Sequence, residues 1–164
     1  MLRRLADLKI ALICCCFLAL AACSKKNQPN LEGDGAGTAV PGSEKDFAVN
    51  VGDRIYFIVD TSTLTPEGKE TLRKQAAWLR QYSDVMIQVE GHADERGTRE
   101  YNISLSARRA TTTREFLIAQ GVEKNRISTI AYGKERPAAL CDAEECWSKN
   151  RRTVTVITSG AKTS

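Results

Sequence analysis

The chain has 164 residues, a formal net charge of +4, and 42% hydrophobic residues. After removal of an N-terminal leader, that length supports one modest hydrophobic core. Basic and acidic residues are interspersed along the chain. The sequence therefore lacks the basic stripe that is typical of nucleic-acid-binding proteins, and no nucleic-acid partner is predicted.

Residues 1–22 have the layout of a signal peptide. Arg3, Arg4 and Lys9 form a basic start, and the uncharged apolar run Ile10–Ala22 follows. This run is shorter than the ~20 residues that a helix needs to span a bilayer. A secretory signal is therefore favoured over a transmembrane anchor.

The apolar run ends in Leu20-Ala21-Ala22-Cys23, which resembles the bacterial lipobox, whose cysteine becomes a lipid-carrying N-terminus. The alternative is an ordinary signal peptide that happens to contain a cysteine. The small residues before Cys23 and the polar segment after it favour lipidation, and several acyl chains on one residue would anchor the chain stably. Ser24, rather than an aspartate, follows the cysteine, which resembles the pattern of outer-membrane lipoproteins. We therefore predict lipid anchoring in the outer membrane, with the domain facing the periplasm.

Residues 23–43 are predicted to form a flexible tether that begins at the lipidated Cys23. The segment is rich in glycine and polar residues and has few apolar side chains. Such a composition cannot bury enough surface to offset the entropy lost on ordering. The folded domain is accordingly predicted to span residues 44–164.

The folded domain retains two cysteines, Cys141 and Cys146, because Cys14, Cys15 and Cys16 lie in the signal peptide. A pair of cysteines in an exported domain favours a disulfide. A metal site is the alternative, but this pair and one distant histidine supply too few ligands. The sequence predicts a Cys141–Cys146 disulfide and neither a metal nor a cofactor.

The first strand and helix of the domain are predicted between residues 54 and 82. Arg54–Val59 is β-branched and aromatic and apolar on both faces, which indicates a buried strand. Thr65 can cap a helix whose first residue is Pro66. Core residues then recur at helical spacing, flanked by two aromatic side chains that are also predicted to lie in the core: Leu72, Ala76, Leu79, Trp78 and Tyr82.

The remaining elements continue this alternation. Apolar residues alternate with polar ones from Val85 to Glu90, which predicts a strand with one buried face. A second helix is predicted to start at an Asn102 or Ser104 cap and to end at Gln120. Further strands are predicted over 127–132 and 153–157. The order strand, helix, strand, helix, strand, long loop, strand predicts an α+β two-layer sandwich with a mixed four-stranded sheet and two main helices on one face.

The polar segments of this pattern resemble the OmpA-like domain family, and more closely the peptidoglycan-associated lipoproteins of Tol–Pal systems. The resemblance covers residues 52–158. It rests on Glu90-Gly91-His92-Ala93-Asp94-Glu95-Arg96-Gly97, Tyr101-Asn102-Ile103-Ser104-Leu105-Ser106, Arg108-Arg109-Ala110, Tyr132-Gly133-Lys134-Glu135-Arg136-Pro137 and Asn150-Arg151-Arg152. It implies non-covalent binding to peptidoglycan, the partners TolB and TolA, and a role in envelope integrity and outer-membrane constriction during division.

The resemblance also implies a site for the diaminopimelate of peptidoglycan stem peptides. Asp94 would bind its ammonium group, and Arg109 its carboxylate, which a guanidinium meets through two parallel hydrogen bonds. We expect Asp94 and Arg109 to pair with each other in the empty site. From the residues alone, a structural salt bridge is the alternative.

Asp60, Arg96 and Leu105 match further contact positions of the family. Val59 departs from the family, because it stands where an aromatic residue would flank the ligand, and we expect altered apolar packing there.

The other notable residues of the domain are expected to be structural. His92 is interpreted as a residue that organises its loop through hydrogen bonds. Of Arg151 and Arg152, one is expected to brace the site or the sheet edge and the other to be solvated. Peptidoglycan hydrolysis would require a positioned carboxylate pair, a metal site or an activated nucleophile. The sequence indicates none of these, so an enzyme is not predicted.

Overall fold

The computed structural model describes residues 39–163. The predicted signal peptide, Cys23 and most of the predicted tether lie outside the described residues. Within them, no helix combines the length and apolar character needed to cross a membrane. The elements in chain order are α1 (Glu44–Asp46), a π-helical turn (Phe47–Val51), β1 (Arg54–Tyr56), α2 (Pro66–Gln81), β2 (Met86–His92), α3 (Arg99–Ala119), a 3-10 turn (Lys124–Arg126), β3 (Ile127–Gly133), α4 (Glu144–Asn150) and β4 (Arg152–Ser159).

The four strands form one mixed sheet in the order β1-β4-β2-β3. Strands β2 and β3 are parallel, whereas β4 is antiparallel to both β1 and β2. Alternate β2 residues, Ile87 and Val89, are buried toward α2 and α3, which cover one face of the sheet. The predicted α+β two-layer sandwich is confirmed.

The core lies between this sheet face and the two long helices. Leu72, Leu79 and Leu117 are fully buried there. Thr65 caps α2 by accepting a hydrogen bond from the amide of Gly68, with Pro66 as the first helical residue, as predicted. The cap and the apolar stripe of α2 therefore agree with the sequence pattern.

Ordered backbone begins before the predicted boundary between residues 43 and 44. The amide of Gly42 donates to Asp46 Oδ2, and the carbonyl of Gly42 accepts from the amide of Lys162. A Cβ on Gly42 would lie 2.7 Å from Cε1 of Tyr82. The glycine that suggested flexibility instead allows the backbone to approach an aromatic ring, so residues 40–43 belong to the folded unit.

Strand β1 is shorter than predicted and is buried on one face only. Ile55 and Phe57 are buried, whereas Tyr56, Ile58 and Val59 are exposed. The reason is that β1 is an edge strand and the helices cover one face of the sheet. An apolar run by itself does not distinguish this position from a central strand.

The start of α3 was also predicted incorrectly. Thr98 is the N-cap, and its hydroxyl accepts a hydrogen bond from the amide of Tyr101 at 3.2 Å. Asn102 lies within the helix, buried, and its Nδ2 donates to the carbonyl of Arg96. Its side chain thus ties the preceding loop to the helix instead of capping it.

The long loop before β4 contains the short helix α4. Cys141 and Cys146 are joined by a disulfide with 5.6 Å between their Cα atoms, and Cys146 lies in α4. The side chain of Asn150 accepts hydrogen bonds from the amides of Ala138 and Ala139. These two constraints join α4 to the loop that precedes it.

Candidate ligand-binding site

A cavity of about 290 Å³ opens where β2 ends and α3 begins. The loop that follows β1 also contributes to its lining. All five residues predicted to contact a ligand line it, together with four others: Val59, Asp60, Asp94, Arg96, Gly97, Tyr101, Asn102, Leu105 and Arg109. The fold therefore brings the predicted residues into one place.

Arg109 is fully buried at the base of this cavity. Its Nε donates to the carbonyl of Thr61 at 2.8 Å, Nη1 to that of His92 at 2.9 Å, and Nη2 to that of Ile58 at 3.1 Å. The guanidinium carbon also lies 5.1 Å from the centroid of the Phe57 ring. An arginine has five N–H donors. Within the described residues, two of them remain for a ligand.

Arg109 remains positively charged although it is buried. Desolvation lowers its pKa to about 10, and the negative charge of Asp94 acts in the opposite direction. A group with that pKa is cationic at neutral pH. The cavity therefore contains a fixed positive charge whose orientation is set by three backbone carbonyls.

Asp94 makes its ion pairs with two other arginines, so the expected Asp94–Arg109 pair is wrong. Its Oδ2 lies 2.6 Å from Arg96 Nη2 and 3.3 Å from Arg151 Nη1. Burial raises the pKa of Asp94, but the hydrogen bonds from Arg96 and Arg151 outweigh it, and the pKa lies below its ordinary value. Asp94 is therefore an anion at neutral pH.

Asp60 faces the same cavity from the loop after β1. Its backbone has a φ of 55°, a left-handed conformation that aspartate tolerates better than most residues. The carboxylate accepts a hydrogen bond from the hydroxyl of Tyr101 on α3. Leu105 is buried and Val59 is half-exposed, so an apolar surface adjoins the charged groups.

Helix α4 supplies partners that the sequence did not reveal. Arg151, only 5% exposed, pairs with Glu144 as well as with Asp94. The guanidinium of Arg96 lies 4.1 Å from the centroid of the Trp147 ring. Arg151 is thus the residue that braces the site. The pairing of Glu144 with Arg151 depends on α4, a helix that the sequence pattern did not predict.

His92 and Arg152 differ from expectation. The His92 ring is 2% exposed, and neither ring nitrogen has a hydrogen-bond partner among the described residues. Burial, then the charges of Arg152 and Arg136, lower its pKa to about 4. It is the backbone carbonyl of His92 that organises the site, by accepting from Arg109. Arg152 is buried as well as Arg151, so the expectation that one of these two arginines is solvated is wrong.

The chain matches the OmpA family over residues 56–151. That stretch is more than half of the sequence, so the chain belongs to the OmpA family. The architecture described above is that of a domain of this family.

Relatives within the family are more specific. The chain is 53% identical to the peptidoglycan-associated lipoprotein of Brucella melitensis, with 98% of each chain covered. It is 57% identical to that of Agrobacterium fabrum over 85% of this chain and 82% of the relative. The crystal structure of the peptidoglycan-associated lipoprotein from Burkholderia pseudomallei has a TM-score of 0.63 and 33% identity, and the match covers 65% of this chain and 90% of that chain. The resemblance to the peptidoglycan-associated lipoproteins is confirmed.

Proposed function

We propose that this protein is an outer-membrane lipoprotein that binds peptidoglycan non-covalently through the diaminopimelate of stem peptides. The names of its relatives support the class of ligand. The observation that carries the proposal is the cavity that Arg109, with two remaining N–H donors, lines together with the carboxylates of Asp60 and Asp94. Such a cavity suits a ligand that carries both charges on one carbon.

The side-chain end of uncross-linked diaminopimelate has that form, with one ammonium and one carboxylate. The two remaining N–H groups of Arg109 would receive the carboxylate. Asp60 and Asp94 would accept from the ammonium, and Leu105 would contact the methylene chain. The volume of about 290 Å³ lies at the small end of ligand pockets, which suits a short chain end better than a disaccharide.

This role involves no reaction on the cell wall. A general acid near neutral pH needs a carboxyl group whose pKa is raised. The pKa of Asp94 is lowered by its two arginine partners. The arrangement is therefore suited to holding a zwitterion and not to proton transfer.

The wider role follows from the resemblance. Lipid on Cys23 would hold the chain in the outer membrane, and the tether would let the domain reach the wall. TolB and TolA are the proposed partners, with a role in envelope integrity and constriction at division. Co-purification of TolB with the chain from detergent-solubilised envelopes tests this part, and its failure under cross-linking conditions would count against it.

The ligand is tested by calorimetric titration of the mature chain carrying Cys23→Ser, which prevents lipidation. The titrant is a stem peptide that ends in diaminopimelate. Two matched peptides serve as controls: one has the side-chain amine acetylated, and the other has lysine, which lacks the second carboxylate.

Binding of the first peptide, with at least tenfold weaker binding of both controls, supports the proposal. Equal affinity for all three peptides, or no binding of the first, contradicts it. Because the variation is in the ligand, this comparison does not depend on whether a protein variant folds.

A further inference from the structure

Two cations approach Asp94, and they come from different sides. Arg96 lines the cavity and its side chain is 40% exposed. Arg151 does not line the cavity and its side chain is 6% exposed. The contact on the cavity side of Oδ2 is therefore made by Arg96, at 2.6 Å.

An ammonium group that enters the cavity needs the same acceptor. Each carboxylate oxygen offers about two lone-pair sites. Oδ2 already accepts from Arg96 and Arg151, and Oδ1 accepts from the backbone amide of Arg96 at 3.2 Å. One site remains on Oδ1, but on the cavity side of Oδ2 the guanidinium of Arg96 occupies the position at which a ligand cation would bind.

Arg96 also has a second acceptor within reach. Its Nη2 lies 3.9 Å from Glu144 Oε2, and a displacement of roughly 1 Å would bring this distance to that of a hydrogen bond. The ring of Trp147 lies beneath the guanidinium and would support it in both positions. Glu144 and Trp147 both belong to α4, which the Cys141–Cys146 disulfide joins to the preceding segment.

From these contacts we infer that Arg96 is a built-in competitor for the ligand's ammonium group, displaced from Asp94 toward Glu144 when the ligand binds. The inference rests on the proposed function and reverses the sign expected for Arg96 as a ligand contact. A cation that lacks a carboxylate to bind Arg109 would not displace Arg96 from Asp94. Competition from Arg96 would therefore reduce the affinity for simple amines more than the affinity for the zwitterion.

The first test is Arg96→Gln, which removes the competing charge and keeps a side chain of similar polarity. We expect it to bind the diaminopimelate peptide about three- to tenfold more tightly, the range for one partly exposed charged contact. Arg99→Gln makes the same change in net charge at a residue that pairs with Glu135 outside the cavity. We expect Arg99→Gln to bind like the parent chain.

Glu144→Gln removes the negative charge that would attract the displaced Arg96, so it should weaken binding in the parent chain. The effect should shrink when Arg96→Gln is also present, and this coupling separates displacement from a general loss of charge. Arg96→Lys keeps a competing cation and should remain close to the parent affinity. Urea unfolding of each variant verifies the fold.

The outcomes are distinct. Weaker or unchanged binding by Arg96→Gln overturns the inference while leaving the proposed ligand in place. Additive effects of the two substitutions overturn the displacement toward Glu144. No binding by the parent chain overturns the proposed function itself, which the ligand comparison detects separately.

Discussion

Arg109→Lys separates the two tasks of the arginine at the base of the cavity. Three of its N–H groups hold the carbonyls of Ile58, Thr61 and His92, and two remain for a ligand. A lysine ammonium keeps the charge but has only three N–H donors. Even if it satisfied all three carbonyls, it would have no donor left for a carboxylate. We therefore expect the fold to survive and the binding to be lost.

The magnitudes follow from the contacts. Loss of a two-pronged charged hydrogen bond to the ligand should cost about 2–3 kcal/mol, at least about 30-fold in Kd. In Arg109→Lys, the ammonium reaches the three carbonyls less well than the guanidinium does, which should lower the free energy of unfolding by about 1–3 kcal/mol. Arg109→Ala, in contrast, leaves three carbonyls without their donor and should cost more than about 3 kcal/mol. Its loss of binding would not by itself identify a ligand contact.

Calorimetric titration with the diaminopimelate peptide gives the change in Kd, and urea unfolding gives the change in stability. Thr111→Ala, an exposed change two residues further along α3, is the control for general effects on the helix. Arg109→Lys with near-parent affinity would refute the donor count. Arg109→Ala with unchanged stability would refute the structural role of the three carbonyl contacts.

Three further predictions concern stability. In Gly91→Ala, the added Cβ would lie 2.0 Å from the carbonyl oxygen of Ser106, so strand and helix must separate, and urea unfolding should show a loss of about 3 kcal/mol or more. The pKa of His92 is about 4 in the folded chain, against an ordinary value of 6.5, so the unfolded chain binds more protons between these values. The free energy of unfolding should therefore fall by roughly 3 kcal/mol as the pH drops from 6.5 to 4, and His92→Leu should remove that part of the slope. The Cys141–Cys146 bond closes a short loop, so its reduction should lower the free energy of unfolding by only about 2 kcal/mol, measured by urea unfolding with and without dithiothreitol. A larger loss would mean that α4 supports more of the fold than its contacts indicate.

The regular elements were accessible from sequence because their local signals agree with the fold. Thr65 and Pro66 indicate the start of α2, and the alternation around Ile87 and Val89 indicates β2. The start of α3 was also within reach, since Thr98 is a good N-cap residue and Glu100 places an acid in the first turn. The amide side chain of Asn102 was a misleading alternative, because its actual partner lies in the loop.

Only part of the candidate site could be predicted from the sequence. Family motifs indicated Asp94 and Arg109, and both line the cavity. The partners of Arg109 could not be predicted, because they are backbone carbonyls distant in sequence, which carry no side-chain signal. The pairing of Arg151 with Glu144 depends on α4, a helix too short to give a recognisable period. The predicted burial of residues 58 and 59 failed for a similar reason, since neighbouring strands decide which face is covered.

The meeting of the two ends of the folded unit has a mechanical consequence. Ser43 forms a bridge with Lys162, just beyond Ser159, and Ser159 pairs with the first residue of β2, Met86. The ligand cavity adjoins Asp94, just past the last residue of β2. Ser43, where the predicted tether would join the domain, and the cavity thus lie near opposite ends of a central strand, which is about 20 Å long at 3.3 Å per residue. Tension between them would run along β2 and load its hydrogen bonds to β3 and β4 together in shear, instead of opening them one after another.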